Sequence, residues 1–231
     1  MPDRPGVKIC GLRRREDVLA ADELGAAYVG VVVSRGFGRS VDPASASALV
    51  AGVRAIPVAV TVDEHPMAAA AMGDGLGAGV LQLHGRETVD AVRELRELGP
   101  WLVWKAVRAA TPDDVRRAVD LYGPWVHGIL VEGWLEGAVG GAGAALDPGQ
   151  FRDLRDLVPA SHRFILAGGL TADTVAGAMA RWDPDVVDVS SGVEVEPGRK
   201  DRGLLRRFMQ AVRGEEKPDA PDSPDHSGVS T

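Results

Sequence analysis

The sequence predicts one α/β domain, a (β/α)8 (TIM) barrel, and three observations carry that prediction. Short runs rich in Val, Ile and Leu alternate with helical patterns along the chain, as buried parallel strands joined by crossover helices do. The length of 231 residues suits a single compact barrel. A doubly wound sheet, the competing architecture, carries a glycine fingerprint after its first strand, and none follows the first run here.

The strands are expected at 7–10, 28–33, 57–62, 79–84, 101–107, 125–131, 163–167 and 185–189, and the helices at 14–24, 43–54, 66–73, 87–98, 112–121, 148–157, 172–181 and 202–212. Asp42-Pro43, Thr111-Pro112, Asp147-Pro148 and Thr171 mark helix starts: a short polar side chain satisfies free N–H groups, and proline suits the first helical position. The barrel is expected to occupy 1–213. Residues 214–231 carry Glu215, Glu216, Asp219, Asp222 and Asp225 against Lys217, which is −4 of the chain's −7. With Pro, Asp and Ser and almost no apolar residues, this stretch reads as a disordered acidic tail.

Composition excludes several function classes. A hydrophobic content of 45% supports a substantial core, while no apolar run reaches the length of a membrane span. Residues 1–6 are polar and proline-rich where a secretory signal would be apolar. The single cysteine, Cys10, allows no internal disulfide, and the expected location is cytoplasmic. No basic stripe points to nucleic acid. Lysine is scarce, with Lys8, Lys105, Lys200 and Lys217 against 22 arginines. Lysines that survive such a skew at strand ends are expected to be held by geometry, because a guanidinium cannot replace a compact ammonium.

Function in a barrel lies where strands end. Strand one ends in Val7-Lys8-Ile9-Cys10-Gly11. A lone cysteine is more often a small buried hydrophobe than a reactive group. Here, however, Lys8 and Cys10 are two apart and face the same way, and a neighbouring ammonium favours the thiolate. Strand two runs into a glycine-containing basic loop, Ser34-Arg35-Gly36-Phe37-Gly38-Arg39-Ser40, and strand four ends in Gln82-Leu83-His84-Gly85. Strand five carries Lys105, either near the active face or neutralising interior carboxylates, and strand six ends in Val131-Glu132. Strand seven ends in Ala167-Gly168-Gly169 and strand eight in Asp188-Val189-Ser190-Ser191-Gly192. Two such turns side by side expose backbone N–H groups to an anion, in the place where barrels bind phosphate. A phosphorylated small molecule is the ligand this implies. His65, His127 and His162 share no spacing with carboxylates that suggests a metal site.

At these strand ends the chain resembles the phosphoribosylanthranilate isomerases, over residues 7 to about 210. The resemblance rests on Val7-Lys8-Ile9-Cys10-Gly11, Gln82-Leu83-His84-Gly85, Leu166-Ala167-Gly168-Gly169-Leu170, Asp188-Val189-Ser190-Ser191-Gly192-Val193-Glu194 and Pro197-Gly198-Arg199-Lys200-Asp201. It implies an Amadori rearrangement in tryptophan synthesis, without metal or organic cofactor, by a monomer or homodimer. By resemblance Cys10 is the base, and Glu132 stands where the family has an aspartate acid. Arg39 matches an arginine that meets the anthranilate carboxylate. Gly168, Gly169, Ser190 and Gly192 match phosphate-binding positions, and His84 and Asp188 are further candidate substrate contacts. To donate a proton near neutrality Glu132 is expected to be raised from about 4.3 towards 6 or 7, through burial under the loop that carries Trp134. The chain departs from the family at Glu132, at Ala142 within Gly140-Gly141-Ala142-Gly143, where Thr or Ser is usual, and at Arg35-Gly36-Phe37-Gly38. Two other readings stay open: a divergent relative acting on another aminated phosphosugar, and a phosphosugar-binding protein without catalysis.

Overall fold

A computed structural model describes residues 4–133 and 146–215. Trp134, the Gly140-Gly141-Ala142-Gly143 run and the tail from 216 onward lie outside the described residues. Eight parallel strands close into a barrel: β1 (Gly6–Ile9), β2 (Tyr28–Val32), β3 (Ile56–Thr61), β4 (Val80–Leu83), β5 (Leu102–Ala109), β6 (Gly128–Gly133), β7 (Arg163–Leu166) and β8 (Val186–Val189). The ring is completed by β1 pairing with β8. Between and after the strands run α1 (Arg15–Glu23), α2 (Pro43–Val50), α3 (Pro66–Leu76), α4 (Val89–Leu98), α5 (Pro112–Tyr122), α6 (Leu154–Leu157), α7 (Val175–Trp182) and α8 (Arg202–Arg213).

Two cores follow from the period-two alternation of strand side chains. One set points inward: Tyr28, Val58, Val60, Val80, Trp104, Leu130, Ile165 and Val186 pack together inside the barrel. Tyr28 and Trp104 meet edge to face there, with centroids 4.9 Å apart. The other set, including Ile9, Val29, Val31, Leu81, Val103, Ile129 and Val187, packs outward with Val18, Leu95, Val175 and Phe208 of the helices. The inward set also carries the polar residues that matter, Lys8, Gln82 and Asp188, all buried.

The helix starts are met in three different ways. Asp42 accepts a hydrogen bond from the Ala44 N–H at the head of α2, and Thr111 forms a capping box with Asp114 at the head of α5. The Asp147 carboxylate instead accepts from the Gly149 N–H, closing a turn, so α6 begins only at Leu154 and not at 148. Near the seventh helix Thr174, not Thr171, is the capping position. Trp125 ends a 3-10 turn, Gly123–Trp125, and β6 starts at Gly128; the Gly123-Pro124 pair breaks the chain direction before the strand. A short hairpin, β9 (Glu194–Glu196) with β10 (Arg199–Lys200), was not expected from the pattern.

Candidate active site

The C-terminal ends of the strands border one cavity of about 790 Å³. Cys10, Arg39, His84, Glu132, Gly168, Gly169, Asp188, Ser190 and Gly192 all line it, so every expected site residue is brought to the same place. Arg86, Arg108, Asp63 and Asp114 line it too, and these were not singled out from the sequence. Arg108 had a readable signal: it lies two and four positions beyond Ala106 and Trp104, on the inward alternation of β5.

Lys8 on β1 and Cys10 just beyond its end do face the same way. A Cβ on Gly30 of neighbouring β2 would sit 3.1 Å from both the Lys8 Cε and the Cys10 Sγ, so a glycine there gives the pair its room. The expected activation of the thiol is corrected by what surrounds it. Lys8 is fully buried, and its Nζ donates to Asp188 Oδ2 at 2.9 Å. Burial pushes the Cys10 thiol up, the Lys8 ammonium opposes this, and the Asp188 carboxylate adds to it; the net direction is upward. The lysine's charge is shared with an aspartate, and the resting group is a thiol.

Across the mouth, Glu132 Oε1 lies 3.2 Å from His84 Nε2 and accepts from Arg108 Nε at 3.0 Å. His84 Nδ1 in turn lies 2.9 Å from Gln82 Nε2. Amide donation from Gln82 leaves the imidazole proton on Nε2, facing Glu132. The expected rise of the Glu132 pKa is therefore corrected. Burial pushes the carboxyl up, but the hydrogen bonds from His84 and Arg108, with the guanidinium's charge, outweigh it and hold it below the usual carboxylate range. Both donors converge on one oxygen, so Oε2 is the atom left to take or give a proton.

The third wall is built from loops. Gly168 and Gly169 follow β7 with φ of 95° and 63°, a left-handed backbone that glycine adopts without strain. Ser190, Ser191 and Gly192 follow β8 on the adjacent strand. Ser190 Oγ donates to the Cys10 carbonyl at 3.1 Å, tying the cradle to the strand end that carries the thiol. Arg39 stands beside it, with Nε and Nη2 donating to Glu194 Oε1 and Oε2 at 3.0 and 2.6 Å.

Lys105 does not face the cavity. Its strand position is outward, and Nζ meets Glu87 Oε2 at 3.0 Å while donating to the Leu83 and Gly85 carbonyls. It anchors the turn that carries His84. His65 Nδ1 caps the start of α3, His127 Nδ1 accepts from the Val103 N–H, and His162 bonds the Gly123 carbonyl; all three are structural. Among the described residues no three His, Cys, Asp or Glu side chains converge as metal ligands would, and no helix is long and apolar enough to cross a membrane.

Fold and mouth together define an enzyme of the (β/α)8-barrel class, with titratable groups gathered at the strand C-termini. The family model for N-(5′-phosphoribosyl)anthranilate (PRA) isomerase matches residues 7–211. Proteins named N-(5′-phosphoribosyl)anthranilate isomerase are similar throughout. That of Pseudomonas paraeruginosa is 38% identical over 221 residues, 93% of this chain and 98% of the relative. That of Hyphomonas neptunium is 39% identical over 216 residues, 92% and 99% of the two chains. Among solved structures, phosphoribosyl anthranilate isomerase from Thermotoga maritima superposes with a TM-score of 0.81 at 32% identity, covering 91% of this chain and 99% of its own. A phosphoribosyl anthranilate isomerase complexed with reduced 1-(o-carboxyphenylamino)-1-deoxyribulose 5-phosphate gives 0.78 at 30% identity, covering 91% and 99%. The chain belongs to the phosphoribosylanthranilate isomerase family.

Proposed function

We propose that this protein converts N-(5′-phosphoribosyl)anthranilate to 1-(2-carboxyphenylamino)-1-deoxyribulose 5-phosphate, an Amadori rearrangement in tryptophan synthesis. The observation that carries this reading is the meeting of Cys10, Glu132 and the two glycine-bearing loops on one cavity. In the first step the Glu132 carboxyl gives its proton to the furanose ring oxygen. The C1′–O bond breaks and the anilino nitrogen's lone pair forms the C1′=N iminium. In the second step the Cys10 thiolate takes the C2′ proton, and the C2′–H electrons neutralise the iminium as an enamine. The resulting enol is the tautomer of the ketose product, and a proton returned to C1′ completes the shift.

Both groups work from their less populated forms. The resting pair is a thiol and a carboxylate; the reactive pair is a thiolate and a carboxylic acid, which differs only by where one proton sits. Its share of the enzyme is constant between the two pKa values, so the rate is supported by a broad plateau and not by a narrow optimum. His84 and Arg108 orient Glu132, and Asp188 with Lys8 fixes Cys10. The phosphate is held by loop seven (Gly168, Gly169) and loop eight (Ser190, Gly192). Arg39 keeps its Nη1–Nη2 edge for the anthranilate carboxylate, the other edge being closed on Glu194. A biosynthetic step of this kind fits a cytoplasmic enzyme, a monomer or homodimer, with no nucleic acid or membrane partner.

The test is direct. Freshly prepared phosphoribosylanthranilate is fluorescent, and its loss is followed on adding purified protein. Catalysed loss with formation of the ketose supports the proposal; binding without turnover, or no binding, rejects it.

A further inference from the structure

Three of the four lysines lie among the described residues, and all three are buried against buried carboxylates. Lys8 meets Asp188 at 2.9 Å, Lys105 meets Glu87 at 3.0 Å and Lys200 meets Glu194 at 2.7 Å. The first two pairs fix the thiol strand and the His84 turn. The third sits outside the proton-transfer groups, and its contacts reach both ends of the substrate site. We propose that Lys200 is a positioning residue which holds the anthranilate end and the phosphate end of the cavity in one frame: through Glu194 it sets Arg39, and through Ser190 it sets loop eight. This rests on the isomerase reading above.

The geometry supports the frame atom by atom. The Lys200 side chain is fully buried, and Nζ donates to Glu194 Oε1 at 2.7 Å, to the Ser190 carbonyl at 3.1 Å and to Ser190 Oγ at 3.4 Å. An ammonium has three N–H groups, and these three acceptors match them. Its backbone is fixed as well, since the Lys200 N–H donates to Asp17 Oδ2 of α1 at 3.2 Å. Glu194 Oε1 also accepts from the Gly198 N–H at 3.2 Å. The Glu194 carboxylate cannot leave for solvent without abandoning that set, so Arg39 is aimed by a carboxylate that is itself immobile. Ser190 Oγ carries the chain on to the Cys10 carbonyl.

An arginine does not fit the post. Its donors lie in one plane on a rigid fork, whereas the acceptors here surround a point charge. Removing the ammonium leaves the Glu194 carboxylate with Arg39 and the Gly198 N–H but without its lysine, and frees Ser190, loosening both ends together. A residue that only supported the hairpin would not couple the two.

The experiment reads each end with its own probe, free of turnover: inorganic phosphate for loops seven and eight, anthranilate for the Arg39 end, both titrated calorimetrically. Arg39→Met is expected to weaken anthranilate alone, and Gly169→Val phosphate alone. Lys200→Met is expected to weaken both by about tenfold, the equivalent of one charge-assisted hydrogen bond at each end, and Lys200→Arg is expected not to restore either. A folded Lys200→Met protein, judged by circular dichroism and a cooperative melt, that keeps either affinity at the wild-type level overturns the proposal. If that variant does not fold, Glu194→Gln decides: it keeps the shape and loses the charge, so anthranilate binding should weaken while phosphate binding holds, and unchanged anthranilate binding overturns the proposal. Failure of the isomerase reading appears separately, as wild-type protein that does not turn over phosphoribosylanthranilate.

Discussion

Lys8 and Asp188 stand opposite each other in the register of β1 and β8, and the ammonium lies 2.9 Å from the carboxylate. Burial, more than any neighbour, pushes the Cys10 thiol up; the Lys8 ammonium opposes this, and the Asp188 carboxylate that answers the lysine adds to the rise.

Cys10→Ser keeps the side-chain shape and supplies a hydroxyl that does not ionise in the working range. Turnover should fall by roughly two orders of magnitude or more, the usual worth of general acid–base catalysis, with substrate binding retained. Normal turnover in the variant would make Cys10 a packing residue. In the native protein the upward displacement of the thiol predicts slow alkylation by iodoacetamide at neutral pH, accelerating only in alkali. Asp188→Asn removes one anion that opposes the thiolate, so its acceleration should begin at lower pH.

Glu132→Gln preserves size but cannot donate an acidic proton, so turnover should drop by about a hundredfold or more while binding persists. Glu132→Asp tests how the longer side chain came to be accommodated. Glutamate here reaches both His84 Nε2 at 3.2 Å and Arg108 Nε at 3.0 Å. Aspartate, shorter by roughly 1.5 Å, loses that reach and should be slower. Steady-state kinetics on the two variants give the answer, and a faster aspartate enzyme would mean that the site has not adapted to glutamate.

Arg108 lowers the Glu132 pKa, and its removal has a predictable sign. Below the Glu132 pKa the carboxylate protonates and the singly protonated working form is lost, so kcat/KM falls on the acid side at that pKa. The depressed value places this limb below the ordinary carboxylate range. Arg108→Met removes one of the stabilising donors, the pKa rises, and the acid limb moves to higher pH. The alkaline limb follows Cys10 and should stay where it was. A pH profile in which the acid limb does not move would detach Glu132 from the reaction.

Gly169 holds a φ of 63° at the cavity edge. Gly169→Val puts a branched side chain into a backbone region that such residues avoid and into the path of the anion. The Michaelis constant should rise by about tenfold to a hundredfold, the loss of one or two hydrogen bonds to a charged group, with kcat affected less. An unchanged Michaelis constant in a folded variant would remove loop seven from the phosphate site.

The sequence spelled out the barrel because buried parallel strands must be apolar on both faces, and eight such runs are hard to arrange otherwise. It also exposed the cavity residues, since function at strand ends turns a list of last residues into a list of neighbours. What it did not carry was the pairing of charges. Lys8 is 180 positions from Asp188 and Arg39 is 155 from Glu194, so each carboxylate is met only once the barrel has closed. The directions of the Glu132 and Cys10 pKa shifts are hidden for different reasons: at Glu132 burial is legible but the donors His84 and Arg108 beside it are not, and at Cys10 the neighbouring Lys8 is legible but the burial that outweighs it is not. The sixth helix was overextended because Asp147-Pro148 is a start signal that Gly149 converts into a turn.

The seclusion of Lys8, Lys105 and Lys200 gives the protein an unusual set of internal clocks. An acylating reagent finds none of these amines in the closed fold, so each reacts only when its own neighbourhood opens. Lys8 then times the opening of the β1–β8 seam, Lys105 that of the β4 turn, and Lys200 that of the ground beneath loop eight. Peptide mass spectrometry after timed exposure to such a reagent would read three local opening rates from a single unmodified sample, with no engineered label.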